Sequence, residues 1–147
     1  MKRSLRGIAV ATLIAVPNLV MAQASCPSGT VAFPSGGPNT LTAVLTGNTM
    51  CATRGADRWQ EYHQSGGTLI DFKLGAGHPV DPTETVGTWT SSNPNSTVTH
   101  NYGAGGVFTW LVCKPPSAAG PLTLVSTGAA GTVTGVTMIA GGPSKCP

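Results

Sequence analysis

From Ser25 onward the chain alternates short runs of β-branched and aromatic residues with clusters of Gly, Pro, Asn and Ser. TVAF, LTAVL, TLIDF, VGTW, STVTHNY, VFTWLVC, LTLV and TVTGVTMI follow one another with such a cluster at nearly every join. Short runs of pleat-favouring residues between turn formers predict strands. No long window carries apolar positions at helical spacing, and the one charged candidate, GADRWQEYHQ, stops at Ser65-Gly66-Gly67. The pattern predicts an all-β domain, a small antiparallel β-barrel or β-sandwich. A helical turn is expected at Asp81-Pro82-Thr83-Glu84, where Pro82 suits the first turn.

Period-two alternation sorts faces within these runs. In Thr97 to Tyr102, Val98, His100 and Tyr102 share one side; in Val107 to Cys113 both sides are largely apolar, as in a strand covered on two faces. Gly103-Ala-Gly-Gly106 supplies the positive φ that a hairpin between them needs. RWQEYHQSGGTLIDFK reads as a second hairpin turning at Ser65-Gly66-Gly67. Its register sets Tyr62 opposite Ile70 and Gln60 opposite Phe72, with Trp59, Glu61 and His63 facing Lys73, Asp71 and Leu69. The expectation is an apolar face of Tyr62, Ile70 and Phe72 on the core and a solvated polar face. Leu122 to Gly142 carries no charge; it suits a buried strand pair, or, if exposed, an edge for self-association.

The start of the chain has a different pattern. Lys2, Arg3 and Arg6 precede an apolar run from Ile8 to Ala22, which is broken by Pro17 and ends in Ala22-Gln23-Ala24. A basic start, a short apolar middle and small residues at a cleavage site describe a secretory signal peptide, residues 1–24, leaving one β-rich domain at 25–147. The run is too short and interrupted for a stable membrane span, which takes about 20 apolar residues. The expected location is exported, periplasmic or extracellular.

Export alters the charge balance. The chain has 8 Lys plus Arg and 5 Asp plus Glu, but Lys2, Arg3 and Arg6 belong to the signal. Arg54, Arg58, Lys73, Lys114 and Lys145 then balance Asp57, Glu61, Asp71, Asp81 and Glu84, so no basic surplus exists to attract nucleic acid or an anionic membrane. Cys26, Cys51, Cys113 and Cys146 all lie in the exported part; an even count there predicts two disulfides, with the pairing left open. No Cys-x-x-Cys suggests redox chemistry, zinc or haem. A lipid anchor on Cys26 is the alternative, and it would strand one cysteine.

The chemistry-bearing residues gather in the second hairpin. Trp59, Glu61, His63, Asp71 and Lys73 would form one patch, with Trp89 as a further aromatic binding residue. Glu61 and Asp71, opposed across the strands with carboxyls about 5 Å apart, could act as acid and nucleophile on a glycoside, and their like charges would raise one pKa. His63 beside them, with His78 or His100, lacks the spacing of a metal site, and Gly-x-Ser-x-Gly is absent. No cofactor is implied.

Val86-Gly-Thr-Trp89 resembles the Gly-x-Trp of small calyx barrels of the lipocalin and avidin kind, which implies a ligand-binding barrel. The stretch from Arg58 to Trp110 is similar to small exported β-rich proteins of Gram-negative bacteria. Together these readings point to an exported, non-enzymatic β-domain that binds a small ligand, a glycan or a protein. The alternatives are a structural subunit of a surface fibre or matrix, drawn from the uncharged tail, and a small glycan hydrolase using Glu61 and Asp71.

Overall fold

The computed structural model describes residues 23–72, 83–117, 120–142 and 146. Residues 1–22, most of the expected signal peptide at 1–24, lie outside the described residues, as do Lys73, His78, Asp81, Pro82 and Lys145. Among the described residues nine strands, one α-helix and a 3-10 turn at Gly103–Gly105 are present, the strands and helix in the order β1 (Val31–Ala32), α1 (Leu41–Leu45), β2 (Asn48–Arg54), β3 (Asp57–His63), β4 (Thr68–Phe72), β5 (Thr83–Ser92), β6 (Thr97–Asn101), β7 (Val107–Lys114), β8 (Leu122–Ser126) and β9 (Thr132–Ala140). Strands β2 to β9 form an antiparallel meander, each beside the next. Because β9 returns to pair with β2, Cys51 opposite Thr137, the sheet closes into an eight-stranded barrel. The sequence left barrel and sandwich open; closure of the β2–β9 ladder decides for the barrel.

Closure has a consequence for the uncharged tail. It supplies β8 and β9, and each has a strand on both sides. Their N–H and C=O rows are used inside the barrel rather than presented as an open edge.

One run departs from its predicted type. Leu41 to Leu45 was expected as a strand and is a helix, α1, because Thr40 accepts a hydrogen bond from the Ala43 amide and caps it. Gly47 at φ +75° then turns the chain into β2. The helix seals one end of the barrel: Leu41 and Leu45 are fully buried, and Thr42 Oγ1 donates to Asn93 Oδ1 at the β5–β6 turn. At Asp81 to Glu84, Thr83 and Glu84 open β5 instead of a helical turn.

The two predicted hairpins have the expected partners. Glu61 faces Asp71, Tyr62 faces Ile70 and His63 faces Leu69 across β3 and β4, and Gly66 and Gly67 adopt φ near +90° in the turn. The orientation, however, is reversed. Glu61 and His63 are buried and point into the barrel with Leu69, whereas Tyr62 and Ile70 lie half-buried on the outer pleat. The face expected to be solvated is therefore the interior.

The outer surface is covered at two places along the barrel wall. Cys113, on the outside of β7, is bonded to Cys26, and β1 pairs beside it; Cys51 is bonded to Cys146, whose amide donates to Gln60 Oε1 at 2.9 Å. Segments before and after the barrel are thus bound onto its wall. This explains both the doubly apolar β7 and a Gln60 only 2% exposed. The Cys26 sulfur, bonded to Cys113, has no valence left for a thioether-linked lipid.

Candidate functional site

An eight-stranded barrel has an interior just wide enough to be filled by side chains or to hold one small ligand. Here both occur at different depths. Near α1 the lumen is packed with Leu41, Leu45, Leu69, Val98 and Trp89. Toward the other end it opens into a cavity of about 310 Å³.

Its walls come from five strands, the residue that follows β6 and the β8–β9 turn. β2 contributes Met50 and Arg54, β3 Trp59 and Glu61, β6 His100 with Tyr102 just after it, β7 Phe108 and Trp110, and β8 Leu124; Ala130 in the β8–β9 turn completes the lining. The members of each pair are two residues apart, or four for Met50 and Arg54, so the period-two pattern delivers them to one lumen. Trp59 and Trp110 stand with ring centroids 6.0 Å apart, and Tyr102 meets Phe108 edge to face at 5.9 Å. Arg54 lies at the rim: its guanidinium is 5.5 Å from the Trp59 centroid and donates to the Ala130 carbonyl at 2.7 Å.

The floor is polar. Tyr102 donates its hydroxyl proton to Glu61 Oε1 at 2.5 Å, and His100 Nδ1 stands 3.5 Å from Glu61 Oε2 and 3.4 Å from the Tyr102 oxygen. Below them the two histidine rings touch, Nε2 to Nε2, at 3.0 Å. The partners determine the tautomers. His63 Nδ1 lies 3.1 Å from the Glu61 main-chain oxygen, which can only accept, so it carries the proton. In the neutral ring Nε2 is then bare and accepts from His100 Nε2–H. That leaves His100 Nδ1 bare as well, facing the Glu61 carboxyl.

Burial keeps both rings neutral, lowering His63 to about 4 and His100, which also faces His63, to about 3. The same burial pushes Glu61 up to about 7; the Tyr102 hydrogen bond draws it down and the charge of Asp71 adds to the rise. Tyr102 is held well above its ordinary range by burial and by Glu61. The site is a desolvated carboxyl that takes or loses a proton near neutrality, set against a bare imidazole nitrogen.

No family model, curated protein or solved structure matches this chain. The site therefore rests on its own chemistry.

Of the residues singled out in the sequence, Trp59 and Glu61 line the cavity and His63 lies directly beneath it. Asp71 faces Glu61 across the ladder but is not among the lining residues. Trp89 is deeper, 6% exposed, with its indole N–H donated to the Gln64 carbonyl and its ring edge-on to His63. Among the described residues no group of His, Cys, Asp and Glu is arranged to hold a metal ion, and no helix is long and apolar enough to cross a membrane. Met50, Arg54, His100, Tyr102, Phe108 and Trp110 were not foreseen as site residues. The shared face of His100 and Tyr102 was visible as alternation; that this face meets Glu61 was not.

Proposed function

We propose that this protein is an exported, non-enzymatic calyx that takes one small molecule into the open end of the barrel. One observation carries the reading: the lumen is sealed by α1 at one end and open at the other around a cavity walled by Trp59, Tyr102, Phe108 and Trp110. Rigid aromatic walls provide apolar area at low entropic cost, with a few polar groups to orient the guest. A volume of about 310 Å³ is at the small end for such sites, roughly 300–1,000 Å³, and suits a single ring or short chain better than an oligosaccharide. Two disulfides fit an oxidising compartment, the periplasm or the cell exterior.

The test is a titration of the oxidised protein, followed by tryptophan emission, against small aromatic and aliphatic compounds. A saturable change at one ligand per chain is expected, weakened at least tenfold by Trp59→Ala or Trp110→Ala in variants with wild-type circular dichroism. Equal binding by folded Trp59→Ala and Trp110→Ala proteins would remove the cavity as the site.

A further inference from the structure

The floor of the cavity is rich in acceptors and poor in donors. Glu61 offers two carboxylate oxygens, and His100 Nδ1 is bare because the hydrogen bond to His63 consumes the ring's only proton. The nearby donor, the Tyr102 hydroxyl, is already directed at Glu61 Oε1. Among the described residues no lysine or arginine pairs with Glu61; its ion-pair neighbour is a neutral histidine. Above this floor four aromatic rings line the space, and ring faces attract cations. Arg54, over the Trp59 ring, is already one such cation.

We infer that the guest is a small organic amine bound as its ammonium, its N–H groups on Glu61 and His100 Nδ1 and its apolar body against Trp59 and Trp110. This deepens the calyx reading and rests on it. An ammonium carries three donors and no acceptor, which matches the floor's inventory. A neutral hydroxyl would satisfy one acceptor, and a carboxylate would meet Glu61 as a like charge. Arg54 does not reverse this preference, because it sits at the exposed rim, where water screens it, while Glu61 acts in a desolvated site.

Binding is linked to one proton. The groups facing the Glu61 carboxyl are His63 on its own strand, Asp71 on β4, His100 on β6 with Tyr102 just after it, and Arg54 at the rim on β2. The histidines stay neutral and Tyr102 protonated near neutral pH, so of these four Glu61 is the one that titrates there. Above about pH 7 the ammonium meets a carboxylate. Below it, the incoming ammonium displaces the Glu61 proton to water.

Three probes of one shape test the assignment: 2-phenylethylamine, 2-phenylethanol and 3-phenylpropanoate, titrated against wild type and Glu61→Gln. At pH 8 the amine is expected to bind at least tenfold more tightly than the alcohol and the anion most weakly. Glu61→Gln should abolish the amine's advantage over the alcohol. In wild type alone, amine affinity should fall about tenfold per pH unit below pH 7, as one displaced proton requires, while the alcohol stays level; this readout needs no folded variant. An alcohol that binds as well as the amine, or an amine preference that survives Glu61→Gln, overturns the amine assignment and leaves the calyx standing. If none of the three changes tryptophan emission at millimolar concentration, the calyx reading falls with it.

Discussion

His63 Nε2 and His100 Nε2 meet at 3.0 Å inside the barrel, across a separation of 37 residues, and neither ring carries a charge. Both have an ordinary value of 6.5 and are lowered in the fold, so the unfolded chain binds the extra protons. Their contribution to stability is complete above pH 6.5 and is lost as the pH falls toward 4 and 3. Glu61 has the opposite sign. Raised from 4.5 to about 7, it makes the folded state the proton binder, and its contribution, complete below 4.5, is lost as the pH rises through 7. Urea unfolding from pH 3 to 8 is expected to peak near pH 6.5 and to fall most steeply below 4.5. A profile level from pH 6.5 down to 4 would remove the neutral histidine pair.

Glu61→Gln should stabilise the empty protein at pH 8 by about 3 kcal/mol, the order set by a rise from 4.5 to about 7 at 1.36 kcal/mol per unit. The amide oxygen can still accept from Tyr102, and the amide N–H can donate to the bare His100 Nδ1. At pH 5, where Glu61 is already protonated, the gain should shrink toward zero. Equal gains at the two pH values would show that the carboxylate's charge is not the cause.

Gly87, in the Gly-x-Trp segment, has its Cβ direction aimed at the Asn101 carbonyl: a methyl built there lies 2.1 Å from that oxygen. The contact is backbone and cannot rotate away, so Gly87→Ala must part β5 from β6. A loss above about 3 kcal/mol is expected by chemical denaturation, in the range reserved for severe overpacking. A variant within 1 kcal/mol of wild type would mean the two strands can separate cheaply at this point.

The disulfide Cys51–Cys146 spans 95 residues and holds the C-terminal segment over Gln60. Replacing both cysteines by serine is expected to cost about 2–5 kcal/mol, read as a lower urea midpoint. Faster amide exchange at Gln60 should accompany it, since that side chain loses its cover. Unchanged exchange there would separate the covalent link from the covering role.

Much of this molecule was legible in local pattern. Composition and turn residues determined the strands; the Ser65-Gly66-Gly67 turn and the alternation on each side determined that Glu61 faces Asp71; and Gly103 to Gly106 determined the β6–β7 hairpin. Leu41 to Leu45 reads as a strand in the sequence, and only packing against β2 and β5 decides for helix α1. Alternation says which residues share a face and is silent on which face is inside. The usual rule put Tyr62 and Ile70 in the core, and a barrel with a polar lumen reverses it. Only closure of β9 onto β2 made one face of every strand interior at once, and only that enclosure brought His100 and Tyr102 to Glu61. The disulfide pairing was decided at the same level, because the distance between cysteines depends on where the barrel wall lies rather than on their order in the chain.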